Sequence, residues 1–160
     1  MAEVHALFEP PLFYVYHTLR YLSRPGVEDI GVQVLATSAP FRFSMPVLNL
    51  GSLAAGARTD LEACPPLPTE NVSVLGLTVE ATYAAQAQAG LRVHLFPSCD
   101  GLSCDTEPIY SFDHAFRPGE VCRQTAPLDT LTCFAKVVLA NLDSSCAVTD
   151  IKLTATLGCV

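Results

Sequence analysis

The chain has 160 residues, a formal net charge of −7, and 50% hydrophobic against 16% charged residues, with a mean hydropathy of +0.34. That length buries one ordinary core without help from metals or oligomerisation. An acidic chain with no Lys/Arg run lacks the basic stripe that phosphate neutralisation needs, and no apolar run approaches the ~20 residues that span a bilayer, so neither a nucleic-acid nor a membrane partner is expected.

Residues 1–26 differ from the rest. Glu9-Pro10-Pro11 leads into LFYVYHTLRYL at 12–22, a run without a clean polar face at either period. As a strand it sets Phe13, Val15, Leu19 and Tyr21 on one side and Tyr14, Tyr16 and Leu22 on the other. A segment apolar on both faces has to be sandwiched, as an internal strand or as an arm docked on a neighbouring subunit. Phe13, Tyr14, Tyr16, Leu19 and Tyr21 are therefore the expected assembly contacts. The expected organisation is an N-terminal arm or added strand at 1–26 and a β-sandwich domain at 27–160. The opening MAEVHALFEPP has neither a basic nor an apolar region and does not read as a secretory signal, which implies folding in the cytosol.

Residues 28–37 alternate through Ile30, Val32 and Val34, and residues 41–50 through Phe41, Phe43, Met45 and Val47. Pro46 confines the second of these strands to an edge or a bulge, because proline donates nothing to a ladder. Residues 49–70 form the longest break, with room for a helical turn at 53–63. Residues 72–83 give the cleanest strand, with Leu75, Leu77, Val79, Ala81 and Tyr83 on one face. Residues 91–96 follow with Leu91, Val93 and Leu95 inward and Arg92 and His94 outward. Weaker strands are expected at 109–112 and 120–125; residues 131–142 are apolar on both faces, as in a central strand, and residues 147–157 alternate again. About eight strands without a convincing helix predict an all-β antiparallel β-sandwich, jelly-roll or immunoglobulin-like, with an N-terminal extension. The Trp that marks immunoglobulin domains is missing, since the chain has none.

Seven cysteines all lie after residue 63. Cys99 and Cys104 flank an Asp100-Gly101 reversal and Cys122 and Cys133 flank an expected hairpin, so these four are the candidate disulfide cysteines. Cytosolic thiols normally stay reduced, and a particle subunit assembled inside a cell and later exposed outside it reconciles such a cysteine count with the missing leader. Asp100, Asp105 and Glu107 supply hard oxygens but not the spacing of an EF-hand. No C-x₂-C pair supports zinc, so no metal or other cofactor is expected. A Cys104/His114/Asp113 set can be drawn on paper, yet there is no G-x-S-x-G elbow or phosphate-binding glycine loop, and no catalytic residues are expected.

Within 90–158, Ser98-Cys99-Asp100-Gly101 with Asp105-Thr106, then Gly119-Glu120-Val121-Cys122-Arg123, then Lys136-Val137 with Asn141-Leu142-Asp143 form a turn, strand and hairpin series. It resembles the small β-sandwich structural proteins of bacteriophage and other particle assemblies. The resemblance implies a packing role and transfers no catalytic residue. The expected function is that of a self-assembling structural subunit of a virion, in capsid decoration or as a minor structural protein. Its expected partners are itself, as a homo-oligomer, and other particle proteins, with assembly in the host cytoplasm. The alternatives are an extracellular filament subunit or a carbohydrate- or receptor-binding module. The binding module would use His94, Asp100, Asp105 and Tyr110 as a ligand loop, with Arg117 nearby.

Overall fold

The computed structural model describes residues 41–70, 72–129 and 132–159. The 1–26 arm with its five aromatic and leucine contacts, and the strand expected at 28–37, lie outside them. Eight strands follow in order: β1 (Phe41–Leu53), β2 (Leu67–Pro68), β3 (Val74–Tyr83), β4 (Leu91–Ser98), β5 (Tyr110–Asp113), β6 (Val121–Leu128), β7 (Phe134–Asn141) and β8 (Val148–Cys159). They form two antiparallel four-stranded sheets, ordered β1-β8-β3-β6 and β2-β7-β4-β5.

Alternation decides which side chains face inward. In β3 every second residue, from Leu75 to Tyr83, is buried, and in β4 Leu91, Val93 and Leu95 are buried. Ile151, Leu153, Ala155 and Leu157 of β8 complete a core shared by both sheets. Because the side-chain period is two, a one-residue slip would turn each apolar set out to solvent, and that penalty fixes the register. β7 is the exception: Ala135 through Leu139 are all buried. It lies between β2 and β4, and its outer face is covered as well.

Pro46 sits in β1, which pairs only with β8 among the described strands, and the register shifts between Pro46 and Leu48. The proline thus stands on an edge strand beside a bulge, where its missing N–H costs no internal ladder bond. A second irregularity, where β3 meets β8, coincides with Asp150 at φ 50. Aspartate tolerates this left-handed conformation better than most side chains.

The break expected at 49–70 begins later than the sequence suggests, since β1 runs to Leu53. The chain then crosses to the other sheet, with an isolated bridge from Arg58 to Ala140 and turns in place of a helix. Every connection except β4–β5 passes between the sheets. Eight strands in this order are a jelly roll, which resolves the expected sandwich against the immunoglobulin alternative.

Candidate functional site

The β4–β5 connection, where the sequence concentrates its Cys and Asp residues, runs from 99 to 109 and is no two-residue hairpin. Buried Ser98 anchors it: its hydroxyl accepts from the Gly101 N–H at 2.9 Å and donates to the Ser103 carbonyl at 2.6 Å. Asp100 Oδ1 accepts the N–H groups of Leu102 and Ser103, each at 2.8 Å. These backbone donors hold the Asp100 carboxyl below the usual carboxylate range. Gly101 has φ +74, and a Cβ there would stand 3.4 Å from the Phe134 ring. The Asp-Gly pair therefore folds the loop down onto Phe134. The Asp105 N–H bonds the Pro97 carbonyl and the Ile109 N–H bonds that of Leu95, lacing the loop along β4. Asp100 thus serves its own loop.

The remaining candidates do not converge. His94 lies on the outer face of β4, its Nδ1 2.7 Å from Ser111 Oγ. Burial, with Arg92 and Arg58 nearby, pushes its pKa down. Tyr110 pairs with Leu95 one register step away and packs against the core, so it faces the opposite side of the sheet from His94. Asp105 is exposed, and Arg117 reaches only Glu120, at 3.4 Å. The Cys104/His114/Asp113 set is not assembled either. Asp113 is held by Arg92 through Nε at 2.6 Å and a second guanidinium nitrogen at 3.1 Å. His114 is buried between the sheets. Among the described residues no group of three or more His, Cys, Asp or Glu is placed to hold a metal ion.

Cys99, Cys104, Cys122 and Cys133 are free thiols. For Cys122 and Cys133 the reason lies in the topology. Cys122 is the second residue of β6 and is buried in the core on the β1-β8-β3-β6 sheet, whereas Cys133 precedes β7 in the other sheet, so no hairpin joins them. Cys104 lies near Lys136, Glu62 and Cys64. Lys136 projects from the outer face of β7, only 5% exposed, with Nζ 3.8 Å from Glu62. The β1–β2 crossing that carries Glu62 and Cys64 covers this face. Burial pushes both the Cys64 and the Cys104 thiol up, the reverse of what an activated nucleophile needs.

Two buried polar networks escaped the sequence reading. In the first, Tyr83 Oη accepts the Leu91 N–H at 3.1 Å and meets His114 Nδ1 at 2.7 Å, while His114 Nε2 lies 3.0 Å from the Val79 carbonyl. The Val79 carbonyl needs a donor, so Nε2 carries the proton and Nδ1 accepts from the tyrosine. Burial pushes the Tyr83 hydroxyl up to about 12 and the His114 imidazole down. In the second, the Asp143 carboxylate accepts the N–H groups of Gln88, Ala89, Ser145 and Cys146. Gly56 N–H bonds the Asp143 carbonyl, and Asn141 Nδ2 reaches the carbonyls of Leu53, Ala54 and Cys146. Asn141-Leu142-Asp143-Ser144-Ser145 carries the side-chain-to-backbone turn chemistry that signals such a knot. What the sequence could not show was its partners, since they come from distant loops.

No protein-family model and no curated protein matches the sequence. Among solved structures the chain is similar in fold to a chain from the structure of infectious bursal disease virus, Gx strain. That match has a TM-score of 0.50 at 9% identity and covers 98% of this chain and 41% of the viral one. The chain thus spans well under half the length of the viral chain that it matches. At such identity the likeness is one of fold, and it agrees with the particle-protein resemblance of residues 90–158.

Proposed function

We propose that this protein is a non-catalytic structural subunit of a virus particle. In this reading it is a capsid-decoration or minor structural component, assembled in the host cytoplasm through contacts with copies of itself and with other particle proteins. The observation that carries the reading is the eight-stranded jelly roll, together with its likeness in fold to a chain from a virus structure. Jelly rolls recur in capsid and lectin domains. The lectin alternative loses support because Tyr110 packs into the core while His94 faces the other side of its sheet.

An apolar composition supports association as the mode of action, and two large apolar side chains of the β4–β5 loop remain in solvent: Leu102, 77% exposed, and Ile109, 38% exposed. The test is light scattering after size exclusion, with electron microscopy of the same fractions. Oligomers or particles at micromolar protein are expected, and a Leu102→Asp variant is expected to fold normally while associating less. A monomer that stays monomeric with other particle proteins present, and is unchanged by deleting residues 1–22, would sink the reading.

A further inference from the structure

We propose that Cys99 and Cys133 form a redox-switchable cross-strand disulfide that locks the end of the β4–β7 pair. Neither neighbour in sequence suggests this pairing; the sheet register does. β4 and β7 pair without interruption from Leu91 opposite Asn141 to Ser98 opposite Phe134. The strands end at that pair, and Cys99 and Cys133 are the next residue on each side, opposite each other if the register continues.

The backbone hydrogen bonds identify the kind of pair this is. The carbonyls of Leu91, Leu95 and Pro97 accept from His114, Ile109 and Asp105, so odd-numbered residues of β4 turn their peptide groups away from β7. On β7 the Leu139 carbonyl accepts from Thr59 and the Asn141 N–H donates to Ala57, so odd-numbered residues there turn away from β4; the carbonyl of Cys133, just before the strand, likewise accepts from Thr69 and Glu70. Continued one residue past the last pair, this alternation gives Cys99 and Cys133 a non-hydrogen-bonded position. In a regular antiparallel ladder Cα atoms at such a position lie about 4.5 Å apart, with side chains at their closest. A disulfide accepts Cα separations of ~4.4–6.8 Å.

Both thiols are exposed and open to an oxidant in solution. Cys104 is the rival partner for Cys99; its own charged neighbours include Lys136 and Glu62, and Lys136 lies on the outer face of the sheet. The oxidant is a small-molecule disulfide of the glutathione class. One protein thiolate attacks its sulfur and expels one molecule of small thiol; the second protein thiolate attacks the mixed disulfide and expels another. Two protein S–H groups are lost, one S–S bond forms, and the small disulfide is reduced to two thiols. The pairing does not depend on the particle reading.

The test equilibrates the full chain with reduced and oxidised glutathione, quenches in acid, and blocks remaining thiols. Cleavage before Asp and after Lys or Arg then isolates Cys99 in residues 93–99, Cys104 in 100–104, Cys64 in 60–92 and Cys133 in 129–136. The expected product is a 93–99 peptide joined to 129–136 in monomeric protein, with a mass loss of about two hydrogens as the bond requires. Cys99→Ser and Cys133→Ser should each abolish it, and Cys104→Ser should leave it intact. Oxidation should also raise the thermal midpoint of the parent chain but not of Cys133→Ser. A bond from Cys99 to Cys104, a bond found only between chains, or fully free Cys99 and Cys133 under oxidising conditions would each overturn the proposal.

Discussion

At the scale of single residues, the most informative groups are polar ones inside an apolar core. Tyr83 is 2% exposed and His114 3%, and each hydrogen bond between them and the backbone removes a desolvation penalty. Tyr83→Phe leaves the Leu91 N–H and His114 Nδ1 without their partner. Because a buried orphan costs ~1–3 kcal/mol, urea denaturation at neutral pH should show a loss of that order. The same pair predicts a pH response. Folding holds the His114 pKa below its ordinary value of 6.5, so the unfolded chain takes up a proton that the folded chain refuses. The stability is complete above that value and is lost as pH falls below it. Urea midpoints measured down from pH 7.5 to 5 should fall in the parent chain, less so after His114→Gln. Gly90 is locked to the same network, since a Cβ there would lie 3.0 Å from Phe116 Cβ and 3.1 Å from Tyr83 Oη. Gly90→Ala is expected to cost ~1–3 kcal/mol through overpacking, measured by the same denaturation.

At the scale of elements, β7 shows how burial on both faces is built. Ala135, Val137 and Leu139 fill the core, while Lys136 and Val138 are covered on the outside. The Lys136 side chain is covered along its length, and its charge meets the Glu62 carboxylate instead of open solvent. Its partner Glu62 is 77% exposed and 3.8 Å away, which makes for a weak pair. Lys136→Met should therefore leave the thermal midpoint unchanged or higher, whereas Lys136→Ala should lower it by opening a void. The sequence placed β3, β4, β7 and β8 correctly because their alternation, or their continuous apolar run, stands out from the flanking turns. β2 escaped notice: two residues, Leu67 and Pro68, inside a Pro-rich stretch carry no periodicity. The β4–β5 connection combines a local signal with a distant contact. Asp100-Gly101 does make a turn with positive φ at the glycine, but the turn belongs to a longer loop that folds onto Phe134.

At the scale of the whole sandwich, one end is knotted by Asp143. Its carboxylate joins the β3–β4 and β7–β8 loops, its carbonyl takes in the β1–β2 crossing through Gly56, and the Gly119 N–H bonds the Ala84 carbonyl to add the β5–β6 loop. The backbone donors, Gln88 first among them, hold the Asp143 carboxyl well below the usual carboxylate range. That contribution is present above the unfolded value near 3.8 and is lost as pH falls below it. Asp143→Ala should lower the thermal midpoint at neutral pH more than Asp143→Asn, which retains one acceptor oxygen, and both should flatten the acid limb of the stability profile.

The sequence alone determined the class of structure. Strand alternation, turn residues and a proline that belongs on an edge are local properties, written within a few residues of where they act, and they sufficed for an all-β sandwich. The tertiary structure decided what met what. Cys122 and Cys133 separate into different sheets, Tyr110 and His94 divide between the faces of one sheet, and Asp143 gathers donors from 54 and 55 residues upstream. A jelly roll passes nearly every connection between its sheets, so nearness along the chain says little about nearness in space. For that reason the closeness of Cys99 and Cys104 in sequence does not by itself choose a partner, whereas the register of β4 against β7, which ends with Ser98 opposite Phe134, brings the segment of Cys133 to the same end of the sheet.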